Sequence, residues 1–186
     1  MPIQALETRR NVLLGAGAAF AQAASPARTQ APHGFDSFVP HPSHRAVVVS
    51  DVVHAPLARL WWAWTTSQGM RALGWESRIR LRIGGPYEVY FDPTAPAGLR
   101  GGEGLKVLSF LPSRMLSTEW NAPPRFPTIR TQRTWIVVEF HELEASSTRL
   151  TITHLGWGEG GDWPQVYAYF ERAWPVVVAR CQDRLG

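Results

Sequence analysis

Cysteine and lysine are each present once in this chain of 186 residues, as Cys181 and Lys106. A single thiol cannot close an internal disulfide, so the fold must be held by its apolar core and backbone hydrogen bonds. With one lysine, the basic side is almost entirely arginine, and the arginines are scattered rather than clustered. The formal charge of +4 is too small to require a polyanionic partner, and with the arginines scattered no nucleic-acid binding is expected. Metal-ligand spacing is also missing. His33, His41, His44, His54, His141 and His154 contain no pair at the spacing that places two imidazoles on one helix face beside a base. Gly84-Gly85 and Gly101-Gly102 lack the strand-to-helix setting of a phosphate loop, and Gly156 to Gly161 lacks its lysine. Ser43, Ser50 and Ser67 have no nucleophile elbow around them. No cofactor is implied.

Long apolar runs are absent too. Val12 to Ala24 is the main one, at about a dozen residues, short of the roughly 20 that a membrane-spanning helix needs. A permanent membrane anchor is therefore not expected. Preceded by Arg9 and Arg10 and followed by Ala21-Gln22-Ala23, the run has the layout of an export signal with a small-residue cleavage site. Thr8 to Leu14 resembles a twin-arginine signal, with Val12 where Phe is commoner. The expected division is an export signal over 1–24, a flexible proline-bearing linker over 25–43, and one domain over 44–186. Periplasmic or secreted residence follows. Loss of residues 1–23 removes Glu7, Arg9 and Arg10, which changes the formal charge from +4 to +3.

The richest segment is at the C-terminus. Leu150, Ile152 and His154 share one side of a strand, Gly156 to Gly161 breaks it, and Val166, Phe170, Trp174, Val177, Cys181 and Leu185 recur at helical spacing. A helix with such a stripe must bury it against another apolar surface. Asp162 and Gln165 have the spacing of a capping box, and Pro164 suits a first turn. Pro175 should bend the helix, at a cost of about 3 kcal/mol unless packing absorbs it. Cys181 falls on the buried stripe.

Upstream, Ala46 to Val53 reads as a strand. Pro56 opens a helix whose Leu57, Leu60, Trp61 and Trp64 share a face, and residues 67–75 form a second short helix. Arg78, Arg80 and Arg82 alternate with Ile79, Leu81 and Ile83, the pattern of a half-buried strand. Strands over 87–91, 103–111, 115–120, 133–143 and from Thr148 follow, with loops at 93–102 and 121–128. The fold class is α+β: about seven antiparallel strands, two short helices after the first, and a long final helix. Strand parity puts Leu116, Thr118 and Trp120 on one face, and likewise Ile136, Val138 and Phe140. Glu139 and His141 then face outward.

In order along the chain, Ala55-Pro56 with Trp61 to Thr65, Gly84-Gly85, Pro112 with Leu116 and Trp120, Thr148 to Trp157, and Tyr169-Phe170 with Trp174 carry a resemblance. Over residues 45–185 the sequence resembles the activator of Hsp90 ATPase homologue-like domain of the START/Bet v 1-like (SRPBCC) superfamily. The resemblance implies a helix-grip fold, a curved sheet around the C-terminal helix with an elongated hydrophobic pocket. An export leader departs from what a relative of a cytosolic co-chaperone implies, and the 93–102 loop falls near the expected pocket mouth.

Within that frame, the expected pocket residues are Trp75, Tyr87, Thr118, Trp120, Ile136, Val138, His154, Trp157, Phe170 and Trp174. Trp61, Trp64 and Trp174 follow helix stripes and belong to the core, whereas Trp75, Trp120, Trp157 and Trp163 sit at element ends where an aromatic can line a mouth. His154 is the candidate catalytic residue: near the end of its strand it can orient a guest or move a proton, or simply satisfy backbone beside the Gly156 turn. Two functions stay open. One is an exported carrier or sensor of a small hydrophobic molecule. The other is a polyketide cyclase- or hydratase-like enzyme with His154 as acid or base. Regulation of a chaperone ATPase is implied by the family name alone. The oligomeric state is left open.

Overall fold

The computed structural model describes residues 45–186, and the expectations for the leader, including Arg9 and Arg10, lie outside them. The chain runs β1 (Val47–Val53), α1 (Leu57–Thr65), α2 (Ser67–Ala72), β2 (Glu76–Ile79), β3 (Tyr87–Tyr90), β4 (Gly101–Gly102), β5 (Val107–Leu111), β6 (Met115–Trp120), α3 (Pro127–Arg130), β7 (Thr134–Glu144), β8 (Ser147–Leu155) and α4 (Trp163–Leu185). Five strands form an antiparallel sheet in the order β1-β8-β7-β6-β5, and β2-β3-β4 form a smaller one. A bridge between Pro86 and Lys106 links the two, with the Tyr87 amide donating to the Leu105 carbonyl at 2.8 Å.

The register explains the core. Thr118, Ile136, His154 and Val47 lie opposite one another across β6, β7, β8 and β1, and Leu116, Val138, Ile152 and Val49 form the neighbouring row. Because side chains alternate along a strand, one slip would turn both rows outward. Except for the partly buried Val49, each of these side chains is buried, whereas Glu139 and His141 on the opposite parity are exposed. Against this face lies α4, burying Trp163, Val166, Phe170, Trp174, Val178, Cys181 and Leu185. At about 2 kcal/mol for each large apolar side chain removed from water, that stripe is what keeps the helix on the sheet. On the same core, Trp61 of α1 meets Phe140 edge-on at 5.4 Å.

Local chemistry sets the joints. Thr66 caps α2, its hydroxyl accepting from the Gly69 amide at 2.9 Å. A Cβ on Gly69 would collide with the Trp62 backbone, so glycine permits the close approach of α1 and α2.

Five expectations are corrected. The arginine-striped strand ends at Ile79, because the chain turns back through Arg82 N–H to the Arg80 carbonyl and Gly85 N–H to the Arg82 carbonyl. The strand expected over 103–111 begins only at Val107, after a turn at Gly104, and the end of the loop expected over 93–102 pairs as the two-residue β4, which gives eight strands among the described residues. Within the 121–128 loop, Pro127 begins the short α3. Asp162 precedes α4 without a side-chain cap; its carbonyl takes the Gln165 and Val166 amides instead. On α4, Val178 is buried and Val177 only partly, since Pro175 does not interrupt the helix and Val178 follows Trp174 by one turn. Pro175 itself faces solvent, where water can satisfy the Glu171 carbonyl that loses its donor.

Candidate functional site

Where strand ends meet α4, a cleft of about 810 Å³ opens to solvent. Three sequence-distant aromatics build its wall: Trp75 just before β2, Phe91 just after β3, and Trp120 at the end of β6. Phe170 and Trp174, one turn apart on α4, complete it. Successive rings touch. Trp75 meets Phe91 edge-on at 5.6 Å, Phe91 meets Trp120 at 6.4 Å, Trp120 lies 5.2 Å from Trp174, and Trp174 stacks on Phe170 at 5.8 Å. Phe91 remains 48% exposed, a ring that the fold leaves uncovered beside its buried neighbours.

The opposite side comes from the loops at 91–101 and 121–125. Arg130 ties them together. Its guanidinium donates to the Gly98 carbonyl at 2.8 and 3.0 Å, to Gly101 at 2.6 Å and to Ala122 at 2.7 Å, and it lies 3.7 Å from Glu103. Glu103 in turn accepts the Gly98 and Arg100 amides at 2.8 Å each. Carbonyls of both loops thus share one charged donor, and the loops acquire a defined shape. Arg100, Arg125 and Arg172 also border the cleft, against one acid, Asp92.

His154 is fully buried, and it lies behind the wall rather than on it. The Trp174 indole Nε1 donates to its Nδ1 at 3.0 Å, and its Nε2 lies 2.8 Å from Thr134 Oγ1. An indole nitrogen can only donate, so Nδ1 is the acceptor and the ring proton sits on Nε2, directed at Thr134. Trp157 and Phe170 close over the ring at 4.1 and 4.5 Å, and burial pushes its pKa well below the ordinary value. This is a neutral imidazole with both nitrogens engaged. Its bond to Trp174 orients one of the rings of the cleft wall.

Of the residues expected to line a pocket, Trp75, Trp120, Phe170 and Trp174 come together on the cleft. Tyr87 borders a separate void of about 20 Å³ under Trp75, its hydroxyl donating to the Trp64 carbonyl at 3.0 Å. Thr118, Ile136, Val138 and Trp157 are buried away from the cleft, Thr118 with its hydroxyl unpartnered. Trp157 spends its indole N–H on the His154 carbonyl at 2.9 Å. Trp163, expected at the mouth, is buried against Trp157. Phe91, Arg125, Arg130, Tyr169 and Arg172 were not anticipated from the sequence: Arg125 lies in a loop, Phe91 just past β3 and Arg130 at the end of the short α3, while Tyr169 and Arg172 lie on α4 outside its buried stripe. Among the described residues no three His, Cys, Asp or Glu side chains group as metal ligands.

Comparison with known proteins agrees with this architecture. The structure of MLL2253 from Mesorhizobium loti shares 20% identity at a TM-score of 0.60, covering 76% of this chain and 96% of that one. The Aha1 dimer from Colwellia psychrerythraea shares 21% at 0.54, over 76% and 96%. CalU16 from Micromonospora echinospora shares 18% at 0.54, over 75% and 73%. At these identities the likeness shows the fold. Among curated protein sequences none matches. Residues 54–184, from the end of β1 to the last turn of α4, match the sequence family described as Activator of Hsp90 ATPase homolog 1-like protein, and the chain belongs to that family.

Proposed function

We propose that this protein binds a small, predominantly apolar molecule, flat and aromatic or lipid-like, in the cleft beside α4, and that it does so outside the cytoplasm. The observation that carries the reading is the run of five touching rings along a solvent-open cleft of about 810 Å³. A volume of that size falls within the ~300–1,000 Å³ typical of small-molecule sites, and Phe91, left half exposed at its edge, is apolar surface that a guest would cover. Native mass spectrometry of protein purified without detergent should reveal a co-purifying apolar mass, or uptake of added lipids and polycyclic aromatics. An unliganded protein across a broad panel would refute the reading.

An acid–base enzyme built on His154 gains no support. Such a role needs a nitrogen free to meet substrate, and both of its nitrogens have partners. Regulation of a chaperone ATPase, the activity in the family's name, rests on that name alone, and export would separate the protein from chaperone and ATP. The export half of the proposal rests on Arg9-Arg10 and the short apolar run after them. Changing both arginines to lysine should retain a tagged protein in the cytoplasm; unchanged localisation would defeat the twin-arginine route.

A further inference from the structure

Four arginines and one aspartate border the cleft, and their hydrogen bonds separate them into two groups. Arg130 is consumed by three backbone carbonyls and Glu103, and Arg100 gives its Nε to the Ala95 carbonyl at 3.0 Å. The carboxylate of Asp92 accepts the Thr94 hydroxyl at 2.7 Å and its amide at 3.1 Å. Arg125 and Arg172 differ: both are exposed, and neither forms an ion pair among the described residues. Arg125 is nonetheless held in place. Its guanidinium carbon stands 4.5 Å from the Tyr169 ring centre and 4.9 Å from that of Phe126, so cation–π attraction from both elements fixes the charge at the rim. Arg172 approaches from α4, between Tyr169 and Trp174 in sequence. One cation thus comes from each side of an aromatic cleft.

We infer that the guest is an amphipathic carboxylate, its apolar body against the ring wall and its single anionic group between Arg125 and Arg172; this rests on the cleft reading above. A neutral guest would leave both guanidiniums merely hydrated, and a cationic one would be repelled. Two planar forks at a mouth suit a carboxylate, which accepts paired N–H donors.

The test uses two fluorescent probes with the same apolar body, 1-pyrenebutyrate and 1-pyrenebutanol, titrated into the full chain at low ionic strength. The carboxylate should bind roughly ten-fold more tightly than the alcohol, and added salt should erode that preference without weakening the alcohol. In the Arg125→Gln/Arg172→Gln double variant the preference should vanish while alcohol binding persists, which also reports an intact cleft. Equal binding of both probes to the unaltered protein, or a preference that survives in the double variant, overturns the anion assignment and leaves the apolar cleft standing. Binding of neither probe overturns the cleft reading, and this inference with it.

Discussion

Acidification from about pH 7 to about pH 5 should cost this protein up to about 2 kcal/mol of stability through His154 alone. The native imidazole is fully buried, hydrogen-bonded at both nitrogens, and held neutral by burial well below its ordinary pKa. In the unfolded chain the same residue takes up a proton near pH ~6.5. Below that value the unfolded state binds a proton that the native state refuses, so stability falls with falling pH, at up to about 1.4 kcal/mol per unit. Summed from about pH 7 to about pH 5, with the native ring neutral throughout, the loss reaches about 2 kcal/mol. Carboxylates such as Asp92, held below the usual range by the Thr94 hydroxyl and amide, withdraw their contribution only at lower pH. Urea unfolding followed by far-UV circular dichroism across this range would measure the loss, with His154→Gln as the control. The variant should be destabilised by about 1–3 kcal/mol at about pH 7, since an amide cannot satisfy both Trp174 and Thr134 in the same geometry. Its pH profile should nevertheless be flatter by the predicted amount. Parallel profiles for the two proteins would refute the argument that His154 is held neutral by its burial.

Replacing Arg130 by Met keeps an unbranched stem but removes the donors to Gly98, Gly101 and Ala122. Amide exchange across 98–104 should accelerate by the equivalent of about 2–4 kcal/mol, and unchanged protection would show that the loops do not depend on this side chain. Burial raises the Cys181 thiol to about 11, with the Trp64 indole acting against it. A disulfide-exchange reagent should therefore modify Cys181 no faster than the protein unfolds, and rapid labelling under native conditions would contradict its position. Gly69→Ala should destabilise by more than the gain in helix propensity of about 1 kcal/mol, because the new methyl meets the Trp62 backbone; a thermal melt showing stabilisation would sink that account.

Much of the sheet was legible in advance because a strand advertises its buried side at every second residue. Leu116, Thr118 and Trp120, or Leu150, Ile152 and His154, announce a common face without reference to anything distant. The arginine stripe misled for the same reason. Alternation continues through Ile83, but the backbone turns at Arg80, and charge alternation does not record where hydrogen bonding ends. Of the cleft, the ring wall was partly readable from Trp75, Trp120, Phe170 and Trp174. Phe91, Arg125 and Arg172 were not: Phe91 continues the parity of Tyr87 and Val89 and reads as one more core residue, Arg125 follows no periodicity, and Arg172 looks like any solvated helix residue.

By itself, then, the sequence determined which elements form, which face of each is buried, and that a long aromatic helix must close over a sheet. Those are properties of local backbone geometry and of apolar spacing along one segment. Only the tertiary structure decided depth. His154, Thr118 and Trp120 all point to the same side of the sheet, yet Trp120 reaches the cleft while His154 is sealed behind Trp174, a residue 20 positions away on another element. Parity states the direction of a side chain; access to solvent depends on what distant segments place in front of it. The same holds for charge. Arg130 and Arg125 are near neighbours in the chain, but one is spent on backbone carbonyls and the other stands at the mouth of the cleft, because only the folded loops bring those carbonyls within reach.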